Sequence, residues 1–227
     1  MEKFSIIYER AAERKGGEAN LEALLPEIKT ASQLTQLADA AYLSAMSKKI
    51  FQSGFVWRVV EQKWPGFEEV LWGFAPEKLA IASDEQIERM AQDKRIIRNF
   101  TKVKAVRENA YFVKLESKKH NGFGRFIAEW PVEEITQLWL YLKKHGSRLG
   151  GNTGPYFLRA VGKDSFLLTR DVVAYLIGQN IVTKQPTSQR DLKLVQEAFN
   201  QWRDESGRTM ADISRTISMS IGENLVV

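Results

Sequence analysis

Apolar residues recur at three- and four-residue intervals along almost the whole chain, the spacing that places them on one face of an α-helix. Phe4, Ile7, Tyr8 and Ala11 set the pattern over residues 2–14, and Gly16-Gly17 stops it. A longer helical stretch runs over 32–63, broken near Gly54 and ended by Pro65-Gly66, with a short aromatic segment at 67–73 after it. Pro76 suits the first turn of a new helix, a position that needs no backbone N–H. Ser83 followed by Gln86 predicts a capping box, in which each side chain bonds the other residue's backbone N–H. Further helices are predicted over 96–118, 132–144 and 155–161, from about Thr169–Asp171, over 187–205 with Ser188 as cap, and over 209–221. No alternating strand pair, internal repeat or linker interrupts them. The pattern predicts an all-α chain, one helical domain over residues 1–227.

Composition adds mostly exclusions. With 44% hydrophobic residues in 227, the chain can bury a sizeable core. It has no Cys, so disulfides and thiolate metal sites are excluded, and with only His120 and His145 a His-built zinc site is not expected either. No metal and no cofactor are expected. The formal net charge of +5 permits a polyanionic partner without demanding one. No run approaches the roughly 18 apolar residues of a membrane span, and the N-terminus lacks the apolar segment of a signal peptide. The expectation is a soluble cytoplasmic monomer.

The sharpest local signal is Leu149-Gly150-Gly151-Asn152-Thr153-Gly154-Pro155-Tyr156, within a helix–turn–helix at about 143–162. A glycine-rich turn before a helix lets backbone N–H groups approach a phosphate, and the positive end of the helix dipole favours the anion. Lys144 and Arg148 stand beside it as further phosphate contacts. Taken alone, such a turn also fits an ordinary connection between helices. Asp171 opens the apolar run DVVAYLI, where a first-turn acid is favoured by the dipole without any catalytic role.

A glycine hairpin, a helix and then an Asp about sixteen residues on resembles the helix-hairpin-helix DNA glycosylase signature. Three segments narrow the likeness to the DNA-3-methyladenine glycosylase I family. Gln52-Ser53-Gly54-Phe55-Val56-Trp57 is similar to its Q-A-G-L-S-W run. Phe74-Ala75-Pro76-Glu77-Lys78-Leu79-Ala80, leading to Arg95-Ile96-Ile97-Arg98-Asn99 and Lys102, is similar to its F-D-P-x-K-V-A and G-I-I-R-N-x-x-K-I pattern. Lys143-Lys144-His145-Gly146 through Thr153 to Tyr156 matches its hairpin. Order and spacing agree over roughly residues 40 to 175.

The resemblance implies a glycosylase fold of two helical lobes around a base pocket, acting on double-stranded DNA that carries a damaged base. It implies that Trp57 stacks on a flipped base, although Trp packs in cores just as readily. It implies that Asp171 stabilises the sugar cation or activates water. Tyr42, Lys49 and Tyr156 join Trp57 as pocket candidates, and Gly150, Gly151, Thr153 and Gly154 join Lys144 and Arg148 as DNA-binding candidates. Arg98, Asn99 and Lys102 fit DNA contact and structural pairing equally. Two departures stand out. The family's zinc clasp of two Cys and two His has no counterpart here, and the family's pocket Glu is replaced by Lys49.

A Lys in that place repels a cationic base, and as an amine it is also a candidate nucleophile for lyase chemistry. The expected activity is monofunctional excision of an alkylated, 3-methyladenine-like base in base excision repair. The rival readings are a non-catalytic DNA-binding module on the same fold and a helical protein–protein adaptor. The absent clasp has a direct consequence. Chelation should leave the thermal unfolding midpoint unchanged, and stoichiometric zinc with unfolding on chelation would overturn that.

Overall fold

Side chains able to accept a hydrogen bond stand at many of the helix starts. In the computed structural model, which describes residues 1–222, Thr30, Ser83, Asn99, Thr169, Ser188 and Thr209 each accept the backbone N–H three residues on. Such a cap satisfies one of the donors a helix leaves open at its first turn. Ser83 and Gln86 form the full capping box.

The described residues form α-helices and short 3₁₀ turns and no strand. In chain order the helices are α1 (Phe4–Arg14), α2 (Glu18–Glu22), α3 (Ala31–Thr35), α4 (Asp39–Gln52), α5 (Trp57–Val70), α6 (Pro76–Leu79) and α7 (Asp84–Gln92). There follow α8 (Phe100–His120), α9 (Phe123–Glu129), α10 (Ile135–His145), α11 (Thr153–Val161), α12 (Arg170–Gly178), α13 (Gln189–Ser206) and α14 (Met210–Ser220). The chain divides into two compact units. One comprises Met1–Ile28, Pro131–Gln137 and the chain from Asp164 onward; the other comprises Lys29–Trp130 and Leu138–Lys163. Residues 223–227 of the expected domain lie outside the described residues.

In the first unit α1 packs against α14. Phe166 stacks on Phe199 at 4.0 Å, and the Trp202 indole N–H donates to the Glu2 carbonyl at 2.9 Å. In the second unit α8 is the central element, contacting α4, α6, α7 and α9. Its core runs from Leu43 and Phe51 through Val60, Trp64 and Phe67 to Val103, Val106 and Ala110.

The predicted boundaries need four corrections. The stretch 32–63 is three helices, because the chain also breaks between Thr35 and Asp39. Pro65-Gly66 does not end α5. Val60, Trp64, Phe67 and Val70 are buried at helical spacing across it, and the exposed Pro65 forfeits only one backbone bond. Gly66 is there for close approach, since a Cβ would lie 2.6 Å from the Arg95 carbonyl oxygen. Finally, α2 and α9 were not anticipated. Asn121 and Gly122, with φ of +54° and +125°, turn the chain sharply from α8 into α9.

Two buried lysines close helix ends. Lys102 Nζ donates to the carbonyls of Ile50 and Ser53, at 2.6 Å each, where α4 stops. Lys163 Nζ donates to those of Ala128 and Trp130 at 3.1 and 2.6 Å, at the end of α9. Cations are favoured at helix C-termini because the last carbonyls carry the negative end of the dipole. Burial holds the Lys102 pKa below the ordinary lysine value, with the positive Arg148 adding to the effect. Replacing Lys102 by Met should lower unfolding free energy by about 2 kcal/mol, since charged hydrogen bonds are lost and carbonyls stay buried. Chemical denaturation measures this, and an unchanged midpoint would remove Lys102 from the frame of the second unit.

Candidate active site and nucleic-acid interface

The end of α4, the start of α5 and the glycine turn before α11 enclose a cavity of about 330 Å³ in the second unit. Lys49, Gln52, Ser53 and Trp57 line one side, and residues 150–153 with Tyr156 line the other. Trp57 is the first residue of α5 and is half exposed, at 51%, so it is not the core Trp that its residue type predicts. Its ring meets Tyr156 edge-on, with centroids 6.0 Å apart. Lys49 Nζ sits 5.1 Å from the Trp57 ring centre, within cation–π range. A larger groove of about 650 Å³ follows α4 along Ala40, Ala41, Ser44 and Ala45. Its walls lack a comparable pair of aromatic faces, so the smaller cavity is the better receptor for a flat ring.

Lys49 belongs to a polar chain. Its ammonium donates to Gln52 Oε1 at 2.8 Å. Gln52 Nε2 donates to Glu61 Oε1 at 2.9 Å, and the other Glu61 oxygen takes Lys48 Nζ at 3.0 Å. A carboxylate accepts only, so Glu61 fixes the Gln52 amide with its oxygen toward Lys49. Burial lowers the Lys49 pKa; Glu61 opposes the shift and Lys48 adds to it.

The turn is held from α8. Asn109, fully buried, donates to the Ser147 carbonyl at 3.0 Å and accepts its N–H at 2.7 Å. Arg148 and Gly151 then take left-handed backbone angles, φ +58° and +59°. Around Gly151 a Cβ would meet nothing within 4 Å, whereas at Gly154 it would lie 2.7 Å from the Leu149 carbonyl oxygen. Gly151 is thus exposed surface and Gly154 a buried packing glycine. No side chain caps the start of α11. Lys144 and Arg148 are exposed.

A model of the methyladenine glycosylase family matches residues 35–162, more than half of the chain. The chain belongs to this family. No curated protein matches it. Among solved structures it is similar to 3-methyladenine DNA glycosylase I from Staphylococcus aureus, with 21% identity and a TM-score of 0.51, covering 67% of this chain and 91% of that one. The 8-oxoguanine DNA glycosylase of Methanocaldococcus jannaschii is 14% identical, with a TM-score of 0.57 over 94% of this chain and 92% of its own. That of Thermotoga maritima is 13% identical, with a TM-score of 0.54 over 98% of each. The glycosylase therefore has the all-α fold expected for it, and the glycine turn joins α10 to α11.

The family match contains the cavity and stops short of Asp171. Asp171 belongs to the first unit, in the first turn of α12, and Ser218 Oγ lies 3.5 Å from its Oδ2. Tyr42 needs correction as a base-binding residue. It is fully buried, its hydroxyl donates to the Leu34 carbonyl at 2.8 Å, and its ring packs on Phe123 and Phe157. Lys49 lies two turns further along the same face of α4, where that face opens to the cavity. Of the cationic segment, Asn99 caps α8 and Lys102 caps the end of α4, so both are structural; Arg98 is exposed.

Reading the sequence assigned no role to Gln52, Glu61 or Asn109. Gln52 is three residues after Lys49, a helical spacing that carries the signal, and Asn109 is a polar residue inside the apolar stripe of α8. The two glycines should separate in solution. Gly154→Ala should destabilise the fold by roughly 1–3 kcal/mol through overpacking. Gly151→Ala should cost about 1 kcal/mol, through its left-handed φ. Equal losses in chemical denaturation would contradict the close approach at Gly154.

Proposed function

We propose that this glycosylase excises a damaged base from duplex DNA, acting as a monofunctional, monomeric intracellular enzyme. The observation that carries the reading is the cavity itself. Within the segment matched by the family, it joins the exposed face of Trp57 to Tyr156 and the glycine turn. An extrahelical base needs such a slot, because its ring must exchange stacking in the duplex for stacking on an aromatic face. Gly150, Gly151 and Thr153, with Lys144 and Arg148, contact backbone phosphates; Gly154 gives the turn its shape.

In the reaction the bond between C1′ of the sugar and the base nitrogen breaks, and the base leaves with the electron pair. Water forms the new bond to C1′ and loses a proton. Asp171 is the residue proposed to stabilise the positive sugar and take that proton, an interaction stronger in the transition state than in the bound duplex. The non-catalytic alternative draws on Lys49, which stands where the family resemblance implies an acid.

Single-turnover base release and duplex binding, measured together, test the assignment. Asp171→Asn should cut release by about 100-fold or more while leaving duplex affinity within a few-fold. Trp57→Ala should reduce both. Full release by Asp171→Asn would end its catalytic role, and absence of release from every lesion in wild type would favour the binding module. Borohydride should trap no protein–DNA adduct, since no amine attack is proposed.

A further inference from the structure

We propose that the cavity selects neutral bases presenting a carbonyl oxygen, and that Lys49, oriented by Gln52 and Glu61, is the residue that reads it. The inference rests on the glycosylase reading and narrows its substrate class. No carboxylate lines the cavity. The carboxylate joined to it, that of Glu61, is engaged by Lys48 and Gln52 and turns the Gln52 oxygen onto Lys49. A base that is cationic within DNA therefore finds no counter-charge there. It finds instead an ammonium already placed over the Trp57 ring, on the electron-rich face that would otherwise attract it.

A carbonyl-bearing base meets the opposite situation. An ammonium has three N–H donors and no acceptor. Gln52 takes one of them, and the others can donate to an oxygen on the ring edge while the ring lies against Trp57. Ser53 and Thr153 add hydroxyls to the same walls. Burial strengthens such a hydrogen bond, because water competes less for the donor. Deaminated purines have the required edge; purines alkylated at N3 or N7 within DNA carry the positive charge that Lys49 opposes.

The test uses duplexes carrying a single hypoxanthine or a single 7-methylguanine, with both binding and single-turnover release measured. Wild type should favour hypoxanthine by about tenfold or more, because both bases carry the C6 carbonyl and only 7-methylguanine carries the charge that Lys49 repels. Lys49→Met should remove that preference, and Lys49→Glu should reverse it. A wild-type preference for 7-methylguanine, or a ranking unmoved by Lys49→Glu, overturns the proposal. If no base is released but hypoxanthine duplex binds more tightly and Lys49→Glu reverses the order, the catalytic reading falls and this inference stands. Equal binding without release overturns both.

Discussion

The buried ammonium of Lys102 settles where α4 ends, and the geometry of the cavity follows from that ending. Its bonds to the Ile50 and Ser53 carbonyls replace helical bonds that the chain gives up as it turns toward Trp57. Asn109 stands seven residues later on α8, two helical turns on and therefore on the same face. It holds the glycine turn through both backbone groups of Ser147. One face of one helix thus fixes both walls of the cavity. The aromatic packing of Phe51 and Phe67, 4.6 Å apart, and the stack of Trp64 on Phe74 hold α5 and the following turn behind it.

Two lysines are buried inside the second unit, each with a partner that suits it. Lys102 and Lys163 are buried against carbonyl groups rather than carboxylates. Fixed dipoles solvate such a cation without a second ion that must also leave water. Lys163 has its converse in the next residue, in the other unit. The Asp164 carboxylate accepts the N–H groups of Met210 and Ala211 at the start of α14, at 3.2 and 2.9 Å. Cation at one helix end and anion at another follow the same dipole rule.

The polar chain from Lys48 to Lys49 differs from these caps because it ends in open space. A lysine closed by carbonyls is a structural group, whereas Lys49 keeps donor capacity toward a cavity with two aromatic rings. The distinction is one of surroundings, not residue type. It gives three lysines of one unit different work: Lys102 and Lys163 terminate helices, and Lys49 faces the slot.

The sequence by itself determined the helical class and the caps at Ser83 and Ser188, because these depend on interactions within four residues. Ser83, Thr169 and Ser188 cap helices through N–H groups three positions away, and Gly151 answers a local backbone angle. The family likeness was legible too, since its motifs are contiguous. Tertiary structure alone decided what needed a distant partner. Tyr42 and Lys49 share one face of α4 two turns apart, and periodicity cannot tell that packing on Phe123 and Phe157 covers the first while the cavity leaves the second open. The continuation of α5 through Pro65-Gly66 needed the core against Trp64 and Phe67, and Gly66 needed Arg95 beside it. Lys102 read equally as a DNA contact or a structural group, because only folding shows that its charge ends among carbonyls some fifty residues earlier in the chain.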